Sequence, residues 1–242
     1  MVSWTTITRL GGVNVMMPAA VAIGAWLIYG RAWRLALWWC LIFAAGLLLV
    51  VASKIAFIGW GIGIRSLDFT GFSGHSMRAT AVIPVLFYLI LQKTPPIVRA
   101  SGVMLGILFG IMIGISRLVL HAHSVSEAVA GCILGGIVSL TFIGILEISE
   151  KLVLYRSIIV FSLTSLFLLL FSKPLPTQHW IIELSLELSG HDRPFVRQGW
   201  KLAPSNLNSH RQHEIANDKK ISTAGLTGGA DFQFTQWNIS VR

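Results

Sequence analysis

Two histidines stand out in a chain whose long apolar runs leave little room for ionisable side chains. His75 follows Ser73 and Gly74 in the stretch "FSGH", directly ahead of an apolar run. His123 lies in "SRLVLHAHSVSE", with Glu127 four residues on. That spacing is one helical turn, so a carboxylate at 127 can hold one imidazole nitrogen of His123 and leave the other free to attack. His121 has Val125 at the same offset and lacks such a partner. Two histidines suit group transfer, in which one attacks and the other protonates the leaving group. The neighbouring residues define the group. Lys54, Arg65 and Arg117 offer positive charge, and an arginine fork matches phosphate oxygens. Ser73 offers a hydroxyl, and Gly74 permits close approach of a backbone N–H. The helix expected to begin there directs free N–H groups at an anion. Together these residues read as a phosphate cradle beside two acid–base groups.

The elements that position them are membrane spans. Of 242 residues, 54% are hydrophobic and 12% charged, about half the charged fraction of a soluble domain, so the chain reads as an integral membrane protein. Six candidate spans are expected, at about 13–30, 35–53, 77–92, 97–116, 124–147 and 154–172. The expected fold is therefore all-α: a six-helix transmembrane bundle over residues 1–172, with a polar C-terminal tail over 173–242. The first apolar run ends with Arg31 and Arg34, which fits a retained span and not a cleaved signal peptide. Gly106, Gly110 and Gly114 recur every four residues and predict a smooth face for close helix packing. Cys40 and Cys132 read as small core residues.

Six spans put both chemistry-bearing loops on one face. The other face carries Arg31, Arg34, Lys93, Arg99, Lys151 and Arg156 and is expected to be cytoplasmic, which places the loops outside. The net charge of +9 is spread over span ends, unlike the aromatic-rich basic clusters of a nucleic-acid binder, so no nucleic-acid partner is expected. Within the tail, "WIIELSLELSG" alternates Ile182, Leu184, Leu186 and Leu188 with polar residues, the period of a half-buried strand. Roughly the last forty residues are rich in Asn, Ser, Gly and Gln and read as poorly ordered. A second Ser-Gly-His, in "LSGHDRP", has no apolar run after it and reads as inert, with His179, His191, His210 and His213 solvated. Arg78 reads as an interfacial anchor slightly ahead of a substrate contact, Asp68 as a loop cap or a support for the site, and Trp33, Trp38 and Trp39 as an interfacial belt.

With these residues in place, the chain resembles the membrane type-2 phosphatidic acid phosphatases, which share their site with vanadium haloperoxidases. Their signature is K-x6-R-P, then P-S-G-H, then S-R-x5-H-x3-D. The second part appears as "FSGH", with Phe72 for Pro. The third keeps Ser116, Arg117 and His123 in register, with Glu127 for Asp. Lys54 stands at a suitable place for the first part, but Gly61-Ile62 occupies the Arg-Pro position and Arg65 is displaced by four residues. The resemblance implies that His123 forms a phosphohistidine, that His75 protonates the departing oxygen and then activates water, and that Glu127 orients His123. It implies that Lys54, Arg117, Ser73, Gly74 and Arg65 hold phosphate, and that no metal or other cofactor takes part. The expected activity is hydrolysis of a lipid phosphate or diphosphate, such as phosphatidic acid, phosphatidylglycerol phosphate, polyprenyl diphosphate or lipid A phosphate, at the outer face of a bacterial inner membrane. Two alternatives stand beside it: a phosphotransferase passing the group to another lipid or a sugar, and a non-catalytic lipid-binding or transport protein.

Overall fold

The computed structural model describes residues 4–149, 162, 177–198 and 201–202. A short helix, α1 (Trp4–Leu10), turns through Gly11 and Gly12 into α2 (Val13–Tyr29). Then come α3 (Trp33–Trp60), α4 (Gly74–Ile90), α5 (Pro96–Val119) and α6 (Val125–Ile148). Beyond them lie α7 (Thr177–Ser189) and two strands of two residues, β1 (Phe195–Val196) and β2 (Lys201–Leu202). The protein is an all-α, polytopic membrane protein. Among the described residues, four helical stretches are long and apolar enough to cross a membrane: Trp4–Tyr29, Trp33–Trp60, Pro96–Val119 and Val125–Ile148. The sixth candidate span, residues 154–172, lies outside the described residues except for Ser162, whose hydroxyl accepts from Trp26 Nε1 at 3.0 Å. Lys151, Arg156, His210 and His213 also lie outside them.

The shorter apolar helix α4, which is not one of these four, is the centre of the bundle. Its 17 residues span about 25 Å at 1.5 Å per residue. Every side chain from Ser76 to Val85 is buried, because α5 and α6 sheathe it most closely and α2 and α3 cover the rest. Close approach is possible because the facing residues are small. A Cβ at Gly106 would stand 2.7 Å from Pro84 Cα, and one at Gly110 would stand 2.9 Å from Thr80 Cα. The glycine face of α5 therefore lies against the α4 backbone, where dispersion contacts replace the missing side chains. Pro84 lies in mid-helix, with Gly106 of α5 packed against its backbone.

Three sequence expectations are corrected. Trp39 is buried, not interfacial: its indole N–H donates to the Ala20 carbonyl at 2.9 Å and its ring stacks on Phe43. Trp33 and Trp38 remain exposed. Cys40 is exposed on α3 and is not a core residue. The "WIIELSLELSG" stretch forms helix α7, not a strand. Its inward residues are Ile182, Ser185, Leu186 and Ser189, a helical period, while Leu184 and Leu188 face outward. Leucine and glutamate are strong helix formers. Docking along α3 completes the choice, because Gly59 leaves room for the Ser185 carbonyl, which a Cβ there would meet at 3.1 Å.

Candidate active site

The C-terminal ends of α3 and α5 and the N-terminal ends of α4 and α6 meet at one face of the bundle, and two loops close over them. α3 stops at Gly61, which is left-handed with φ +68°. The chain then makes a single 3-10 turn at Arg65–Leu67 and a bridge between Ile64 and Phe69. This loop is pinned to the start of α6. The Ser126 hydroxyl donates to the Leu67 carbonyl at 2.7 Å, and the Ser73 N–H donates to the Glu127 carbonyl at 3.1 Å. Phe72 N–H donates to Ser53 Oγ at 3.1 Å, which ties the same loop to α3 one residue before Lys54. The two motif halves are thus joined through the backbone.

Glu127 lies at the centre of this junction and is fully buried. It completes a capping box with Ser124 at the start of α6. Its two oxygens have separate partners. Oε2 accepts from His123 Nδ1 at 2.7 Å and from the Ser124 N–H at 3.3 Å. Oε1 accepts from the Thr70 N–H at 2.8 Å, from the Thr70 hydroxyl, and from Arg197 Nη2 at 2.6 Å. A carboxylate so supplied stays ionised and fixes the ring it holds. His123 sits in the loop ahead of α6. Burial pushes its pKa below the ordinary 6.5, and the Glu127 hydrogen bond works against that. At neutral pH the ring is therefore neutral, with Nδ1–H on Glu127 and Nε2 free.

The surroundings of the histidines are strongly basic. Lys54 from α3, Arg78 from α4 and Arg117 from α5 lie within electrostatic reach of one another and of His75, and Lys54 and Arg117 also act on His123. Arg78 was expected to be an interfacial anchor but is 9% exposed. The reason is local. It lies one turn along α4 from Gly74, where a Cβ would stand 2.9 Å from Arg78 Nη1, so the glycine makes room for the guanidinium. The Nε atoms of Arg78 and Arg117 are buried without a hydrogen-bond partner. Among the described residues, none of the three cations forms a salt bridge. A buried donor left in this way costs about 1–3 kcal/mol, more when charged, so the arrangement is poised for an anion.

The structure brings His75, His123, Glu127, Lys54, Arg117, Ser73 and Gly74 to one place. Ser73 is fully buried and its hydroxyl accepts from Ser76 Oγ at 2.9 Å. Arg65 is exposed on the 3-10 turn and is not part of the buried cluster. His121 is exposed with φ +51°. Three contributors were missed or ranked too low in the sequence. Arg78 was visible as a charge one turn into a span, with a substrate contact as its second reading. Thr8 on α1 holds Ser116, beside Arg117, through hydroxyl oxygens 2.6 Å apart. Arg197 comes from the polar tail, with no signal in its surroundings.

The profile of the PAP2 superfamily matches residues 63–149, a stretch that holds α4 to α6 and both histidines but neither Lys54 nor Arg197. An uncharacterized 22.5 kDa protein in the cps region of Klebsiella pneumoniae is 34% identical over 200 residues, covering 81% of this chain and 96% of that protein. Phosphatidylglycerophosphatase B of Bacillus subtilis (strain 168) is 30% identical over 137 residues, covering 54% of this chain and 68% of that protein. No solved structure matches the chain.

Proposed function

The chain belongs to the PAP2 superfamily, the type-2 phosphatidic acid phosphatases, and on that premise we propose that it hydrolyses a lipid phosphate or diphosphate through a phosphohistidine at the outer face of a bacterial inner membrane. The observation that carries this reading is the set of three basic side chains, Lys54, Arg78 and Arg117, gathered around two histidines and, among the described residues, in no salt bridge. A tetrahedral phosphate supplies the missing negative charge. Stabilising charge on the phosphoryl oxygens is the main work of such a site.

The proposed reaction has two steps. His123 Nε2 attacks phosphorus in line, the phosphorus–oxygen bond to the lipid breaks, and His75 gives its proton to the departing oxygen. Glu127 takes up the positive charge that forms on the His123 ring by holding Nδ1–H at 2.7 Å. His75, now unprotonated, takes a proton from water. The resulting hydroxide attacks phosphorus, inorganic phosphate leaves, and His123 returns to its neutral form. Arrival of the phosphate dianion among the cations favours the protonated His75 that the first step needs. A site at the end of the bundle suits a lipid, whose headgroup enters while its chain stays in the bilayer. The side is argued from charge: with Lys54, Arg78 and Arg117 assigned to the site, Arg31, Arg34, Lys93 and Arg99 at the opposite ends of the spans outnumber Arg9 and Arg65 at this one.

The test is phosphate release from a panel of lipid phosphates, with wild type and His123→Ala compared after purification. Phosphatidylglycerol phosphate heads the panel because of the name of the Bacillus relative. Release by wild type and near-complete loss in the variant is the expected result. A His123→Ala protein that still turns over the substrate contradicts the assignment. Appearance of label only on a lipid acceptor would make the protein a phosphotransferase.

A further inference from the structure

The segment after α7 returns to the site. α7 runs along α3, and the chain beyond it is held at the end of α3 by Phe195, whose ring fills the space a Cβ at Gly61 would take, 2.8 Å from its Cδ1. Two residues later, Arg197 reaches Glu127. Its Nη2 lies 2.6 Å from Glu127 Oε1 and 3.3 Å from Thr70 Oγ1, and its Nη1 lies 3.5 Å from Asp68 Oδ2. The Glu127 side chain is 1% exposed, whereas that of Arg197 is 38% exposed, so the arginine covers the carboxylate from the solvent side.

The division of labour on Glu127 gives this contact its meaning. One oxygen orients His123, and the other receives Thr70 and Arg197. A glutamate has one more rotatable bond than an aspartate, so holding one oxygen leaves the carboxylate free to swing unless the second is also held. Arg197 shares that second hold with Thr70, adds the one charge-assisted bond to it and balances the buried negative charge. We propose that Arg197 is a positioning residue of the active site, acting on His123 through Glu127, and that the segment from α7 to residue 198 is a working part of the phosphatase. The proposal rests on the assignment of His123 as nucleophile.

A positioning role has a signature that simple stabilisation lacks. The charged groups around His123 are Lys54 from α3, His75 from α4, Arg117 from α5 and Glu127 from α6, with Arg78 beside the first three and Arg197 on the far side of Glu127. Removing the Arg197 charge leaves the Glu127 carboxylate a stronger acceptor, so the protonated His123 ring is favoured. The acid limb of the pH–rate profile then moves to higher pH.

The experiment compares wild type, Arg197→Ala, Arg197→Lys and His123→Ala on phosphatidylglycerol phosphate in mixed micelles. Arg197→Ala is expected to lose about ten- to a hundredfold in kcat, the scale of a misplaced catalytic group, with KM within about threefold of wild type. Its acid limb should move up, and millimolar guanidinium should restore part of kcat, since the position is open to solvent. Arg197→Lys keeps the charge without the fork and should fall between the two, which decides the matter even if the alanine variant fails to fold. Wild-type kcat and pH profile in either Arg197 variant, with His123→Ala inactive, overturns this proposal alone. Activity in His123→Ala overturns it together with the reading on which it rests.

Discussion

The tripeptide Ser-Gly-His occurs at residues 73–75 and again at residues 189–191, and the two copies sit at opposite ends of helices. The first opens α4. Ser73 is its N-cap, Gly74 leaves room for the Arg78 guanidinium, and His75 joins Lys54, Arg117 and His123. The second closes α7. Ser189 is its last residue, Gly190 is left-handed with φ +67°, and His191 is exposed. A helix start presents free N–H groups and the positive end of its dipole, which favour an anion, whereas a helix end presents carbonyls, which repel one. The comparison teaches that three residues do not make a site. The helix end they occupy and the charges that face them do.

The comparison can be broken first at its largest effect. His75→Ala should lower kcat by about 10²- to 10⁴-fold, the range for a lost general acid–base group, measured as phosphate release from phosphatidylglycerol phosphate. Activity within a few-fold of wild type would reduce the first copy to the standing of the second. Next in size, Arg78→Met should lower kcat/KM by about 10²- to 10³-fold, because it removes a preorganised positive charge from the transferred phosphoryl group while keeping an apolar side chain of similar length. An interfacial anchor at that position would show no such loss.

The pH dependence gives a smaller and graded effect. His123 must be neutral to attack, and burial holds its pKa below the ordinary 6.5. On the acid side, activity should therefore fall about tenfold per pH unit only once the pH drops below that lowered value. A fall that begins above pH 6.5 would place the nucleophile in a different environment. The smallest effect belongs to the second copy: His191→Ala should keep kcat and KM within about twofold of wild type, since the exposed ring gives up only an edge-on contact with Phe195 outside the cluster.

Much of this was legible in the sequence, for reasons of period and composition. The apolar runs marked α2 to α6, and the four-residue spacing of Gly106 and Gly110 announced the close contact with α4. The step from His123 to Glu127 gave the hydrogen bond at 2.7 Å. What escaped depended on tertiary contact. α7 alternates like a strand, but its inward face is chosen by where α3 carries Gly59. Arg78 and Trp39 have the composition of interfacial residues. Only the gap over Gly74 and the carbonyl of Ala20 give them buried places. Arg197 is 70 residues from Glu127, and no local pattern can report a pairing over that distance.

The central claim is that His123 carries the phosphoryl group between lipid and water. Its most direct test is rapid quenching of the purified protein during turnover of a lipid phosphate labelled in its phosphoryl group, followed by mapping of the label on the chain. A phosphoramidate on His123, stable in base, labile in acid and missing from His123→Ala, is the predicted result. Label on another residue, or steady turnover by His123→Ala, would contradict the account.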